Sequence, residues 1–227
     1  VSRDVGLIFP FLLAIVFVAN FAEPVVLGWL VELSVQKVSG DVPSISNARR
    51  KVLSESMLTF SAAFATSFSV ALYIIISPLV DKLRELVSAG VFGKELRTQF
   101  MAMLSPLTVP LKVADLVLGV VLVFLAAGIV LDDGLLHGLK SGLHLLVKAF
   151  AKEPIAALAI VAITVVDRLV PQELCCFDVA VSVAALMYKA ALVAVLFARS
   201  VKSEQTALHS VQEEPSEGHG AVPPTES

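Results

Sequence analysis

The side chain with the clearest chemical potential in this sequence is a lysine inside an apolar segment. Lys189 lies near the middle of residues 177–197, which contain only one other charged residue. A lysine at the centre of a bilayer costs about 2.5–3.5 kcal/mol on insertion scales, so it needs a partner or contact with water. Glu23, Asp115 and Asp167 are the carboxylates that could pair with it. Such a pair could serve an ion or proton pathway, but these acids lie towards the ends of their segments, so we predict a structural role.

Two polar residues interrupt the first apolar segment, residues 5–33. Asn20 and Glu23 lie about one turn apart, and Pro24 follows directly. A proline removes one helical hydrogen bond and bends the helix, so we expect one kinked span. Glu23 could bind an ion beside the backbone groups that the proline leaves without a partner, but we prefer a structural role at the bend. The Asn20 amide is expected to bond to another helix.

Small side chains form a stripe along the second apolar segment, residues 57–80. They recur every four residues, at Thr59, Ala63, Ser67 and Ala71. Small residues let helices approach closely in lipid, so this stripe predicts a helix-packing face. A parallel stripe consists of three phenylalanines, Phe60, Phe64 and Phe68. These rings indicate helix packing or lipid contact, and they leave a pigment- or quinone-binding subunit as a third interpretation.

Residues 135–150 have an amphipathic pattern with helical periodicity. The apolar face contains Leu135, Leu136, Leu139, Leu143, Leu146, Val147 and Phe150. The polar face contains four basic side chains, His137, Lys140, His144 and Lys148. This pattern is typical of a helix in the membrane interface, and the basic side chains are candidates for binding anionic lipid headgroups. The two histidines lie about 10 Å apart along such a helix, which is too far for one metal ion.

These residues lie in a chain with the composition of a membrane protein. Of 227 residues, 57% are hydrophobic and only 16% are charged, whereas soluble domains carry about 25% charged residues. The mean hydropathy is +0.86. The apolar residues come in runs long enough to cross a hydrocarbon core of about 30 Å, and such runs must be helical because lipid offers the backbone no hydrogen-bond partner.

The apolar runs predict an all-α integral membrane protein with about five transmembrane helices, interfacial amphipathic helices and an extended C-terminal tail. The predicted spans are residues 5–33, 57–80, 111–131, 155–170 and 177–197. Residues 81–110, which Gly90 and Gly93 interrupt, are expected to form two short interfacial helices. Residues 1–200 form one polytopic membrane domain in this interpretation. Residues 201–227 form a polar, acidic tail that has too little apolar content to fold alone.

The sequence contains no recognisable catalytic motif. It has no nucleotide-binding glycine loop, no zinc-type spacing of Cys and His, no HExxH and no GxSxG. The net charge of −3 and the lack of a basic patch argue against nucleic acid. Cys175 and Cys176 are adjacent, so they define no disulfide framework. We therefore expect no enzyme activity, metal or cofactor, and bound phospholipid as the ligand.

These observations favour a non-catalytic accessory or scaffolding subunit of an energy-transducing organellar complex, of the respiratory-chain or ATP synthase type. Such a subunit would bind lipids and neighbouring membrane subunits, and a polar tail of this kind is ordered only by a partner. The chain starts at Val1, which is compatible with removal of a targeting peptide. This favours the mitochondrial inner membrane, with the thylakoid membrane second. The alternative is a small ion or solute channel or carrier that uses Lys189 with an intramembrane carboxylate.

Overall fold

Helices make up the described part of the chain. The computed structural model describes the backbone of residues 2–132, 134–169 and 175–212, and the side chains of residues 10–132, 134–167 and 180–202. Within these residues there are seven helices and no strand. In chain order they are α1 (Ser2–Val38), α2 (Ile45–Val52), α3 (Glu55–Ser88), α4 (Gly93–Leu131), α5 (Leu135–Lys152), α6 (Pro154–Leu169) and α7 (Cys175–Gln212). The predicted all-α class is confirmed.

Several of these helices are suited to a membrane. Four stretches are long and apolar enough to cross one: Pro10–Val38, Glu55–Ser88, Gly93–Leu131 and Ala180–Lys202. A fifth span arises only if α5 and α6 count together, and these two helices meet at a bend of 111°. With 16 residues, α6 is about 24 Å long and too short to cross alone. The predicted fourth span, residues 155–170, is therefore half of a bent pair.

Helices α3 and α4 are joined by a tight turn. The chain leaves α3 through a Schellman motif, in which Gly90 has a φ of +84° that favours glycine. The Gly90 N–H donates to the carbonyl of Val87, and the Val91 N–H donates to that of Leu86. The prediction of two short interfacial helices over residues 81–110 is wrong, because these residues continue the long helices on either side of the turn.

The buried core lies around the C-terminal half of α4. This helix contacts α1, α3, α5, α6 and α7. Its largest buried side chains are Leu122, Phe124 and Ile129. Leu27 of α1 and Met57 of α3 belong to the same core. Residues 66–118, in contrast, contain no buried residue. We call the helical stretches 66–88 and 93–118 the distal arm.

Glycines bring α4 and α5 into backbone contact. A Cβ atom on Gly142 would lie 2.6 Å from the carbonyl oxygen of Phe124, and one on Gly138 would lie 2.5 Å from Cα of Ile129. A Cβ on Gly128 would overlap the backbone of Gly138 and Gly142. The contact point moves back along α4 as α5 proceeds, so the two helices are antiparallel.

Helix α5 therefore packs alongside the apolar half of α4. The sequence pattern had instead indicated a helix that lies in the interface without such a contact. The apolar residues of α5 also divide into two sets, one buried and one exposed. Gly138, Gly142, Leu145 and Ala149 are buried, whereas Leu136, Leu143, Val147 and Phe150 are exposed. The sequence pattern did not separate them, because glycine carries no hydrophobic side chain and its stripe was not counted as a packing surface.

Helix α7 continues beyond the predicted boundary at residue 200. It runs to Gln212, so residues 201–212 are helical rather than extended. A helix that has already formed can continue through Lys, Glu, Gln and Ala without a new nucleation step, even where a segment could not fold alone. Residues 213–227 of the predicted tail lie outside the described residues.

Candidate functional site

Lys189 forms a buried ion pair with Asp167. The Lys189 Nζ of α7 lies 2.8 Å from the Asp167 Oδ2 of α6, and the two side chains are only 2% and 10% exposed. Glu23 on α1 and Asp115 on α4, the other acids considered as partners, are half-buried. The structure thus places Lys189 of α7 against the carboxylate of Asp167 in α6.

The surroundings of the ion pair between Lys189 and Asp167 are consistent with a structural role. A lysine and a carboxylate at hydrogen-bond distance cancel each other's charge, and removing either would leave the other buried without compensation. Thr164 lies one turn before Asp167 and is buried. Its hydroxyl donates to the carbonyl of Ile160 in the same helix, at 2.8 Å. The single donor of this hydroxyl is therefore used within α6 rather than towards Asp167.

A second polar cluster, which the sequence interpretation did not identify, joins α1 to α2. Glu32 has a side chain only 5% exposed, and its carboxylate accepts hydrogen bonds from Lys51 Nζ at 3.0 Å and Gln36 Nε2 at 2.9 Å. The Gln36 carbonyl in turn accepts the backbone N–H of Ser44, at 2.6 Å. The cluster fixes the loop that leads into α2. Its sequence signal is the spacing of Glu32 and Gln36 on one helical face, followed by the basic run in α2.

The four predicted headgroup ligands of α5 do not form one site. His137, Lys140 and His144 are exposed along the helix. Lys148 instead reaches α7, where its Nζ donates to the Ser200 hydroxyl at 2.5 Å. The reason is the antiparallel packing of α5, which turns only the C-terminal part of its polar face towards another helix.

Lys148 belongs to a small group of charged side chains between α5 and α7. Lys152 and Glu153 at the end of α5, and Arg199 and Ser200 of α7, line the same cavity of about 130 Å³. The Arg199 guanidinium lies 3.1 Å from the Glu153 carboxylate. We call Lys148, Lys152, Glu153, Arg199 and Ser200 the α5–α7 cluster. The sequence interpretation included only Lys148, because residues far apart in the chain supply the others.

The predicted packing stripe of α3 lies on its exposed side. All four of its members are exposed: Thr59, Ala63, Ser67 and Ala71. The buried side of α3 consists instead of Met57, Phe60, Ser61 and Ala65. Both sides contain residues spaced four apart, and periodicity alone does not decide which side faces the bundle. The stripe stays a predicted helix-packing face.

The aromatic stripe of α3 packs along the helix. The Phe60 and Phe64 ring centroids are 6.3 Å apart, and those of Phe64 and Phe68 are 6.4 Å apart. Phe60 is buried, and the other two are half-buried. These distances match ordinary contacts between aromatic side chains.

Asn20 and Glu23 lie within a single helix, α1. The Asn20 Nδ2 donates to the carbonyl of Val16 in that helix at 2.8 Å, rather than to another helix as expected. An asparagine can satisfy its donor locally in this way when the preceding turn offers a carbonyl oxygen. Glu23 is half-buried beside the buried Pro24.

Metal-binding groups are not apparent among the described side chains. Within residues 10–132, 134–167 and 180–202, no three His, Cys, Asp or Glu side chains converge to hold an ion. Cys175 and Cys176 lie outside these ranges. Comparisons of the chain with protein-family models, with curated proteins and with solved structures found no match.

Proposed function

We propose that this chain is a non-catalytic scaffolding subunit of a larger membrane assembly. The observation that carries the proposal is the distal arm, in which apolar side chains such as Val70, Ile74, Met101 and Val109 are exposed over residues 66–118. A helical bundle that acts alone would be expected to bury residues along the whole length of its long helices. Here α3 and α4 extend beyond the core, and residues 66–118 are all half-buried or exposed.

The lengths of these helices support a protein partner in addition to lipid. With 34 and 39 residues, α3 and α4 extend about 51 and 58 Å. The hydrocarbon core of a bilayer is about 30 Å thick. Even a tilted helix of this length extends beyond the lipid tails, so part of its apolar surface needs cover from another protein.

The exposed stripe of α3 is the contact we propose for that partner. Small side chains at Ala63, Ser67 and Ala71 would let a partner helix approach the α3 backbone. The stripe begins next to the core and continues along the distal arm, so one partner helix could lie along both.

The kind of complex and its membrane are further parts of this proposal. We propose an energy-transducing organellar complex, with the mitochondrial inner membrane as the first location to test and the thylakoid membrane as the second. Lipids are proposed as additional ligands.

A small ion or solute carrier is the second candidate, and the buried pair of Lys189 and Asp167 is the observation that favours it. Transport would require the pair to open and the lysine to exchange partners. Reconstituted vesicles test this directly: the scaffold proposal expects no ion flux. Flux that disappears in Lys189→Met, with the protein still folded, would favour the carrier.

Substitution of the α3 stripe tests the scaffold proposal. Ala63→Leu should remove partner proteins that co-purify with the chain in mild detergent, because a larger side chain separates the helices. Ala162→Leu is the matched control, since Ala162 is an exposed alanine of α6. Quantitative mass spectrometry of the purified material measures both. A homo-oligomer with no other protein, or equal losses for the two variants, would contradict the proposal.

A further inference from the structure

We infer that the α5–α7 cluster binds the phosphate headgroup of an anionic phospholipid. The inference rests on the membrane location in the proposed function, but it does not require a partner protein. It differs from the headgroup site predicted on α5 alone, because three of the four side chains named there do not reach the cluster.

The cluster has the donors that a phosphate group needs. Its lining contains three cations, Lys148, Lys152 and Arg199, against one acid, Glu153, an excess of two positive charges. Arg199 uses Nη1 to contact Glu153, and a guanidinium has further N–H groups that suit phosphate oxygens. Lys148 is held in place by the Ser200 hydroxyl. Two helices therefore present cations around one small cavity.

The cluster also lies at the level where headgroups are expected. Arg199 lies near the end of the apolar stretch Ala180–Lys202 of α7. Lys152 and Glu153 immediately precede α6, which is apolar from Pro154 up to Asp167. Charged side chains at the ends of two apolar helices mark the boundary of the hydrocarbon region, and basic pockets between helices at this boundary bind anionic lipid headgroups.

An apolar surface for the acyl chains begins beside the cluster. Along α6 the exposed side chains are Pro154, Ile155, Leu158, Ala162 and Val166. They share one helical face, whereas Ala157, Ile160 and Thr164 are buried on the other. A lipid held by its phosphate at Lys152 can thus lay its chains along α6. A zwitterionic headgroup would bind less well, because its ammonium group would meet the excess positive charge.

Native mass spectrometry of the full chain in neutral detergent tests this site. The chain is titrated with phosphatidylglycerol or with phosphatidylcholine of the same acyl chains. We expect preferential binding of phosphatidylglycerol. The double variant Lys148→Gln and Lys152→Gln should bind it about 30-fold more weakly, since each cation near an anionic lipid contributes about fivefold, and should bind phosphatidylcholine unchanged.

Two further variants separate a specific site from general charge. Lys148→Arg with Lys152→Arg should keep the preference. Lys37→Gln with Lys94→Gln removes two exposed cations elsewhere and should also keep it. Thermal melting checks that each variant is folded. If the double glutamine variant fails to fold, Lys152→Gln alone, at an exposed position, should weaken binding about fivefold.

Three results would overturn the inference. They are equal affinity for the two lipids, an equal loss in the Lys37 and Lys94 control, and complete displacement of phosphatidylglycerol by millimolar inorganic phosphate. The last would indicate a site for a free anion. The titration uses the purified chain without partners, so its result is independent of the test of the scaffold proposal.

Discussion

The hairpin of α4 and α5 and the distal arm are both built from apolar helices, yet they pack in opposite ways. In the hairpin, Gly128, Gly138 and Gly142 let the two backbones touch, and the neighbouring side chains of α4 are buried. In the distal arm, no residue of 66–118 is buried. Apolar composition is thus common to both regions, and the presence of glycine at the contact distinguishes them.

This difference shows which parts of the fold are stabilised by contacts within the chain. In lipid, apolar side chains gain little by leaving the solvent, so close packing and polar contacts hold helices together. The hairpin has close packing, and the neighbouring α6 and α7 are joined by the pair of Lys189 and Asp167. The distal arm has exposed charged pairs, such as Lys82 with Glu85 at 2.6 Å, which contribute little in water.

The largest effect is expected from enlarging a glycine at the hairpin contact. Gly142→Leu should lower the free energy of unfolding by at least about 3 kcal/mol, because the new side chain meets the backbone of Phe124 and Leu125, which cannot move aside. Ala102→Leu on the distal arm, an exposed position, should change it by less than about 0.5 kcal/mol. Denaturant titration in detergent measures both. Similar losses would contradict the contrast between the regions.

Separating the buried ion pair should give the next largest effect. Lys189→Met leaves Asp167 almost buried without its cation and should cost about 3 kcal/mol. The double variant Lys189→Met with Asp167→Leu should recover most of this loss, since neither charge then remains. A double-mutant cycle in the free energy of unfolding measures the coupling. Additive losses would show that the two side chains do not stabilise each other.

The smallest effect is expected at the cluster between α1 and α2. Lys51→Met removes one of two donors to the buried Glu32 carboxylate and should cost about 1–2 kcal/mol. Hydrogen exchange should become faster in residues 39–54, while α4 remains unchanged. Arg50→Met is the control, because Arg50 is an exposed neighbour in the same helix. Equal acceleration in the two variants would contradict the role of Lys51.

Local sequence patterns predicted the helices better than their contacts. The apolar runs gave the class and most of the long helices, and the cost of a charge in lipid correctly required a partner for Lys189. The candidates were Glu23, Asp115 and Asp167. Local patterns did not specify which acid pairs with Lys189, because the answer depends on how α6 packs against α7. The same is true of Lys51, whose partner Glu32 precedes it by 19 residues.

The packing of α5 against α4 was harder to predict, although the sequence contains a pattern that indicates it. Gly138 and Gly142 have the spacing of a GxxxG motif, which favours close helix contact in membranes. The amphipathic pattern of the same segment drew the interpretation towards the interface instead. It is the glycines of this motif that contact the backbone of α4.

Photo-crosslinking in native membranes tests the central claim, that the distal arm is covered by a partner protein. A photoreactive amino acid is placed at Ile74 or Met101 of the arm, which are 64% and 57% exposed, and at Leu158 of α6 as a lipid-facing control. We predict that the arm positions give discrete adducts with another protein and that Leu158 gives adducts with lipid. Lipid adducts alone at Ile74 and Met101, or adducts with a second copy of this chain only, would contradict the account.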